Sequence, residues 1–392
     1  MTRAGYDPRV RRLSTIDRHE VAGAFADVGV LVPIAVALIV TNGLSPTAVL
    51  LPAGLLYLAA AQVYRLPVPV QPLKAFGAIA IANGLGMNAI AAGALLMGAI
   101  FLILGASGLI DWASRAFPRP LIRGVQLTVG LLFLKIAYTL VTDPPRTFID
   151  HTIDRPWLVG LSLACAVLAL ALRRHPIALA MIAVAIVAVA LRAEGFAWGP
   201  APVTLPDFDL ATFGTAFIVL VIPQVPLSFA NSCLATADAA RTYFGDAAKR
   251  VRPGRLATTF GTANLLAGAI GGMPVCHGAG GMTAHRAFGA RTGAAPAIIG
   301  ATLLVLAVVF GAGLAALLTA FPLPILAGLL AVSGLLHIAL LRDLARPAHW
   351  AIAVGIGLIG FLSNLAIALA AGLVVWWTVV WIRSRAKQRV QP

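Results

Sequence analysis

Residues Pro67–Leu85 read PVPVQPLKAFGAIAIANGL. Three prolines, a glutamine and a lysine open what otherwise looks like an apolar membrane segment. Pro67, Pro69 and Pro72 are poorly tolerated inside a helix, and alternating Pro-Val biases the backbone towards extended conformation. Val68–Gln71 is therefore expected to be a short strand. Pro72 suits the first position of a helix. The stretch predicts a half-helix that starts at depth in a bilayer rather than at its surface.

The rest of the chain supports a membrane setting. Of its 392 residues, 60% are hydrophobic and 11% charged, against about 25% charged in a soluble domain. Spans of roughly 20 apolar residues fall near 20–41, 45–64, 88–110, 120–141, 156–172, 175–193, 211–234, 255–272, 294–320, 323–341, 347–362 and 364–382, with short ones at 72–85 and 278–290. That makes fourteen segments. The basic, polar start (MTRAGYDPRVRRLSTIDRHE) reads as a cytosolic tail, because it is too long for a signal n-region and no cleavage pattern follows.

The net charge of +15 is spread over segment ends, which argues for the positive-inside rule and against nucleic acid. With both termini inside, only Arg146, Arg155 and Arg192 fall on the far side, and Lys74 and Lys135 fall within the membrane. The expected location is a cell (inner) membrane, crossed many times, with both termini cytoplasmic. Cys165, Cys233 and Cys276 lie in apolar surroundings, with neither a disulfide framework nor zinc spacing.

Two pairs of motifs share one offset. FPRPLIRG at Phe117 and FPLPILAG at Phe321 lie 204 positions apart, and PVQP at Pro69 and PVCH at Pro274 lie 205 apart. Each half then carries seven segments. Because seven is odd, the second half enters from the opposite side, which is the inverted repeat of transporters. The expected organisation is a tail at 1–19, a first repeat at 20–195, an extracytoplasmic linker at 196–210, a second repeat at 211–383 and a tail at 384–392. The fold class is all-α and polytopic, fourteen segments as a 7+7 inverted repeat, with two half-helices each preceded by a short strand.

The second copy of the opening motif is GGMPVCHGAGGMTAHRAFGARTG, from Gly271. Met273–Cys276 can be extended, and Gly278, Gly280 and Gly281 let the backbone approach a small ligand. Two half-helices in opposed repeats can point their N-termini at one another near the midplane. Each N-terminus offers unpaired N–H groups and a partial positive charge, so together they form an anion site. Lys74 sits in the first turn of the first half-helix, where its charge opposes the dipole unless an anion lies between them.

Two further segments carry unusual polarity. Asp27 lies within GAFADVGVLVPIAVAL, and Gln224, Ser228, Asn231 and Ser232 share one face of a helix at α-helical spacing. Polar groups in a span usually face a cavity or another helix. Bland readings stand beside these. Lys74 or Lys135 could snorkel to an interface, Asp27 could pair with either lysine, and the Gln224–Asn231 face could be interhelical glue. Cys276 with His277 lacks a third ligand, so no metal is expected. His277 suits a hydrogen-bond donor or proton carrier. His285 and Arg286 fall nearer the cytosolic end. No cofactor is implied.

GAFADVGVLVPI (Gly23–Ile34), PVPVQPLK (Pro67–Lys74), IPQVPLSFANS (Ile222–Ser232) and GGMPVCHGAGGM (from Gly271) together resemble the molybdate transporters related to the sulfate permeases. The resemblance implies the fold shared by sulfate and nucleobase permeases, in which a core domain carrying the half-helices moves against a gate domain, each drawn from both repeats. It implies a tetrahedral oxyanion substrate, molybdate first, with sulfate or another anion as the alternative and a nucleobase as a more distant one. The substrate region would be Gln71, Lys74, Cys276, His277 and Gly278, with Asp27, Gln224 and Asn231 alongside. Sulfate permeases usually carry a C-terminal regulatory domain, and the sequence given stops at Pro392, which fits the molybdate branch. Leu73 stands where the family motif often has methionine, and MTAHRAF after HGAGG differs in detail, so a role for His285 is not implied. Dimers are common in the fold, which leaves a homodimer open. So is coupling to protons, with Asp27 or His277 as carrier. A membrane enzyme would need a convergent acid/base set or a metal cluster, and the sequence shows no such spacing.

Overall fold

The computed structural model describes residues 17–25, 28–110, 118–144, 154–171, 177–190, 196–363 and 365–388. The first half runs α1 (Arg18–Ala24), α2 (Val28–Asn42), α3 (Pro46–Tyr64), β1 (Gln71–Pro72), α4 (Lys74–Ala82), α5 (Met87–Ser107), α6 (Arg119–Thr142), α7 (Arg155–Ala171) and α8 (Ile177–Ala190). Next comes α9, one helical run in five pieces: Leu210–Ala216, Phe217–Val221, Ile222–Leu227, Ser228–Ala235 and Thr236–Phe244. Then follow α10 (Pro253–Ala269), β2 (Val275–Cys276), α11 (Ala279–Ala287), α12 (Ala294–Val308), α13 (Gly311–Leu317), α14 (Leu323–Ala339), α15 (Pro347–Leu362) and α16 (Leu365–Gln388).

Among the described residues, five helices are long and apolar enough to cross a bilayer, or six if one bent pair counts as a single span. That is fewer than the fourteen segments expected, because several segments are short or broken. The segment expected at 294–320 is α12 followed, after an 80° bend, by α13. The bend has a local cause. The chain crosses its neighbour there, with Gly199 N–H bonded to the Val309 carbonyl and Ala312 N–H to the Gly199 carbonyl. The first segment also divides, into α1 and α2.

Proline placement explains several helix starts. α3, α6, α10, α14 and α15 each carry proline in the first two positions, where its missing N–H costs nothing. The end of α3 is equally local. Arg65 is left-handed at φ 57°, the only non-glycine residue with positive φ among those described. It turns the chain out of the helix and into the Pro-Val stretch.

Two groups of helices pack mainly within themselves. In one, α5 lies along α10 and α3 along α12; in the other, α6 lies along α14 and α15, and α7 along α14. Close approach needs small residues. A methyl group on Gly98 of α5, or on Gly261 of α10, would meet the facing backbone at 2.7 Å, and one on Gly130 of α6 would meet the Gly334 carbonyl at 2.7 Å. The first group also holds α4, α9 and α11, and it meets the second chiefly through α4 against α6 and α2 against α14.

Candidate functional site

The two Pro-Val motifs meet. β1 and β2 form a two-residue antiparallel pair, Gln71 opposite Cys276 and Pro72 opposite Val275, extended by the Leu73 N–H to the Pro274 carbonyl at 3.1 Å. Each strand leads into a short helix, α4 or α11, so antiparallel pairing sends the two helices away from the crossing in opposite directions. Their N-terminal ends flank it.

Non-helical backbone buried this deeply must find hydrogen bonds in the protein, and α10 supplies them. The Asn264 carboxamide donates to the Val275 carbonyl at 2.9 Å and accepts from the Val275 N–H at 2.7 Å, acting as a third strand for one residue. His277 is fully buried. Its Nδ1 lies 2.8 Å from the Pro69 carbonyl oxygen, which can only accept, so Nδ1 carries the proton. Its Nε2 lies 2.9 Å from Thr259 Oγ1, and the ring stands edge-on to Tyr64. Both nitrogens are thus occupied by protein groups. His277 ties the Pro69 strand to α10.

The half-helix α4 is held at both ends by amide side chains. At its start, Gln224 Oε1 accepts the Phe76 N–H at 3.0 Å, and Gln224 Nε2 donates to Ser228 Oγ at 3.1 Å. At its end, Asn42 Nδ2 donates to the carbonyls of Ala80 and Leu85 at 3.1 and 2.9 Å. The Phe76 N–H and the Ala80 carbonyl lie in the first and last turns of α4, where a helix lacks full intrahelical pairing. Gly278 precedes α11, and a side chain there would collide with Gln71 Oε1 and reach 3.5 Å from Asn231 Nδ2. No side chain caps α11.

Beside the crossing lies a small hollow of about 20 Å³, room for about one water molecule. Lys74, Gln224, Asn231, Ser232, Leu227 and Cys276 line it from the first group of helices, and Gln126 (α6) and His337 (α14) from the second. Among the described residues, Arg123–Asp343 and Lys249–Asp246 are the ion pairs, and neither involves Lys74. The described wall therefore carries a cation and amide, hydroxyl, thiol and imidazole groups without a carboxylate. Nor does any group of three His, Cys, Asp or Glu among these residues have the geometry to hold a metal.

Of the residues named from sequence, Lys74, Gln224, Asn231 and Cys276 come to this one hollow. Gln71, His277 and Gly278 adjoin it through the crossing, with His277 turned to the protein. Asp27 lies outside the described residues. The polar face of α9 is wound differently from the expectation: Phe217–Val221 and Ser228–Ala235 are π-helical, around Pro223 and Pro226, and such widened turns recur at functional sites. Gln126 and His337 were not singled out from sequence. The only signal either offers is a lone polar residue in an apolar run.

A helical membrane chain with two opposed half-helices meeting beside a small polar hollow is built as a transporter. Its fold is shared with the transmembrane domain of a cyanobacterial bicarbonate transporter, BicA, at 19% identity and a TM-score of 0.66, covering 90% of this chain and 97% of that one. The murine anion transporter Slc26a9 in its inward-facing state matches at 15% identity and a TM-score of 0.68, over 95% of this chain and 70% of that one.

The chain belongs to the family described as "Molybdate transporter of MFS superfamily", whose pattern matches residues 19–133 and 216–336. It is a membrane transporter and not an enzyme. Molybdate transporter 1 of Arabidopsis thaliana is 28% identical over 95% of this chain and 91% of its own length. Molybdate transporter 1 of Chlamydomonas reinhardtii is 27% identical over 94% and 95%. Although the family description names the MFS superfamily, the fold likeness reported above is to BicA and Slc26a9.

Proposed function

We propose that this protein is a secondary active transporter that imports molybdate, or a similar tetrahedral divalent oxyanion, by alternating access. One observation carries the reading. The β1–β2 crossing sets the N-terminal ends of α4 and α11 beside a hollow into which Lys74 projects. Unpaired N–H groups and a helix dipole favour an anion there, and Lys74 adds a full charge. A neutral nucleobase would be poorly matched to a wall whose described residues include a cation and no carboxylate.

The same reading extends to the architecture. We take the chain as fourteen segments in a 7+7 inverted repeat, crossing a cell membrane with both termini cytoplasmic. The packing supports this: exchanging each segment for its counterpart seven places away turns the α5–α10 contact into the α12–α3 contact, and the α6–α15 contact into the α14–α7 contact. The helix group that holds the half-helices is then the core, and the α6, α7, α14 and α15 group is the gate. Rocking of one against the other opens the hollow to each side in turn.

Purified protein in liposomes tests the function. Labelled molybdate uptake is measured alone and against excess tungstate or sulfate. Saturable uptake that sulfate competes for only weakly is the expected result. Strong competition by sulfate reassigns the substrate to sulfate, and absence of uptake of any oxyanion overturns the proposal.

A further inference from the structure

The first wall of the hollow belongs to the half-helices and α9. The opposite wall holds two polar side chains, Gln126 and His337, and neither is oriented at random. Arg123 forms a two-pronged ion pair with Asp343, its Nε 2.8 Å from Asp343 Oδ1. Its remaining arm, Nη1, donates to Gln126 Oε1 at 2.7 Å. With its oxygen held by Arg123, Gln126 has its NH₂ end left for the hollow. That end can only donate.

His337 is fixed in the same way. Its Nδ1 lies 2.8 Å from the Ser333 carbonyl oxygen one turn back, so Nδ1 carries a proton. The ring is braced edge-on by Phe133 at 5.8 Å. Nε2 is then the nitrogen left to meet a ligand. In the neutral ring it presents a lone pair, which repels an anion. With a proton added it becomes a donor.

We propose that Gln126 and His337 complete the anion site from the second helix group, and that His337 donates through Nε2 only when protonated, so that one proton binds with each anion. This rests on the transport reading given above. The titratable groups around α14 define the electrostatics. α6 carries Arg119, Arg123, Lys135 and Tyr138, α7 carries Arg155 and Cys165, Arg342 and Asp343 follow α14 itself, and the described parts of α2 and α8 carry none. Arg123 and Asp343 offset one another. Across the hollow from His337, the described wall carries one further cation, Lys74, along with the Cys276 thiol. Two cations across an empty hollow repel, and a dianion between them removes the repulsion. Anion and proton therefore favour each other's binding, and the effect is reciprocal by linkage. The proton comes from water on the side where the hollow is open, sits on Nε2 during the crossing, and returns to water on the other side as the anion leaves. Each cycle then carries a net single negative charge with a divalent oxyanion.

The test uses full-length protein in liposomes at clamped membrane potential, with labelled molybdate. For the wild type, one unit of inside-alkaline pH gradient raises steady-state accumulation about tenfold, since one proton is worth a factor of ten per pH unit. His337→Gln accumulates molybdate to a level independent of the gradient. A wild type blind to the gradient, or a His337→Gln variant that still responds, overturns the proposal. Absence of wild-type molybdate uptake under any gradient overturns the transport reading beneath it. Binding to detergent-purified protein covers a variant that binds but does not transport. Wild-type affinity falls by about tenfold per pH unit above the imidazole range, whereas His337→Arg, permanently charged, binds independently of pH over that range. Gln126→Leu weakens binding at every pH and keeps the wild-type slope. A flat wild-type binding profile, or a sloping His337→Arg profile, overturns the assignment.

Discussion

Lys74 is the residue on which charge balance at the hollow turns. It opens α4, where its ammonium faces the positive end of the helix dipole, and no described carboxylate pairs with it. An arrangement that disfavours the empty site favours an anion in it. Lys74→Gln keeps length and polarity but removes the charge. It is expected to lower the initial rate of molybdate uptake by at least tenfold, a loss of about 1.4 kcal/mol or more, while leaving the thermal melting temperature within a few degrees. Uptake assays and a melting curve on the same preparation check both halves of this expectation. Gly278 is the complementary case, because its constraint is space. A methyl group there collides with Gln71 Oε1, so Gly278→Ala pushes the Gln71 side chain away and opens the crossing. Molybdate binding is expected to fall below detection in a titration that still shows binding for the wild type. Wild-type affinity in Gly278→Ala would show that this close approach does not matter.

At the scale of elements, the decisive device is the side-chain substitute for backbone pairing. Two strands of two residues cannot satisfy their own polar groups, so Asn264, Thr259 through His277, Gln224 and Asn42 complete the hydrogen bonding from neighbouring helices. Asn264→Ala orphans both the N–H and the C=O of Val275 in a buried setting. At about 1–3 kcal/mol per orphaned group, this is expected to lower the melting temperature clearly, and more than Thr262→Ala on the exposed face of the same helix. Differential scanning of the two variants decides it. Similar shifts in both would deny Asn264 this role. The prolines made the crossing legible in sequence, because alternating Pro-Val leaves few conformations open. The groups that hold it were not legible. Asn264 reads as one more small polar residue in TTFGTANLLAG, and nothing local says that it faces Val275. The α9 face was found by α-helical spacing and its residues do converge, yet the helix is π-wound where they lie. Glu20 shows the same limit. Its carboxylate accepts N–H bonds from Arg291, Thr292 and Ala295 at the start of α12, a cap from a residue 271 positions away that sequence spacing cannot reveal.

For the molecule as a whole, the hollow lies where the two helix groups meet, and this decides what motion can do to it. Gln126 and His337 belong to one group and the rest of the wall to the other; although repeated Phe-Pro motifs open both their helices, each shows in sequence only as a single polar residue in an apolar run. If the groups rock as units, every residue of the first wall faces opposite sides of the membrane in turn. Cys276 reports this directly, since its thiol lines the hollow and the other two cysteines can be removed by Cys165→Ala and Cys233→Ala. In that background, a small charged thiol reagent added from either side of sealed vesicles is expected to modify Cys276. Molybdate at ten times its dissociation constant should slow the reaction about tenfold by occupying the site. Alternating access requires both faces to be reactive and both to be protected. Labelling from one face alone, unchanged by molybdate, would describe a fixed vestibule instead, and the two helix groups would then be a static scaffold around it.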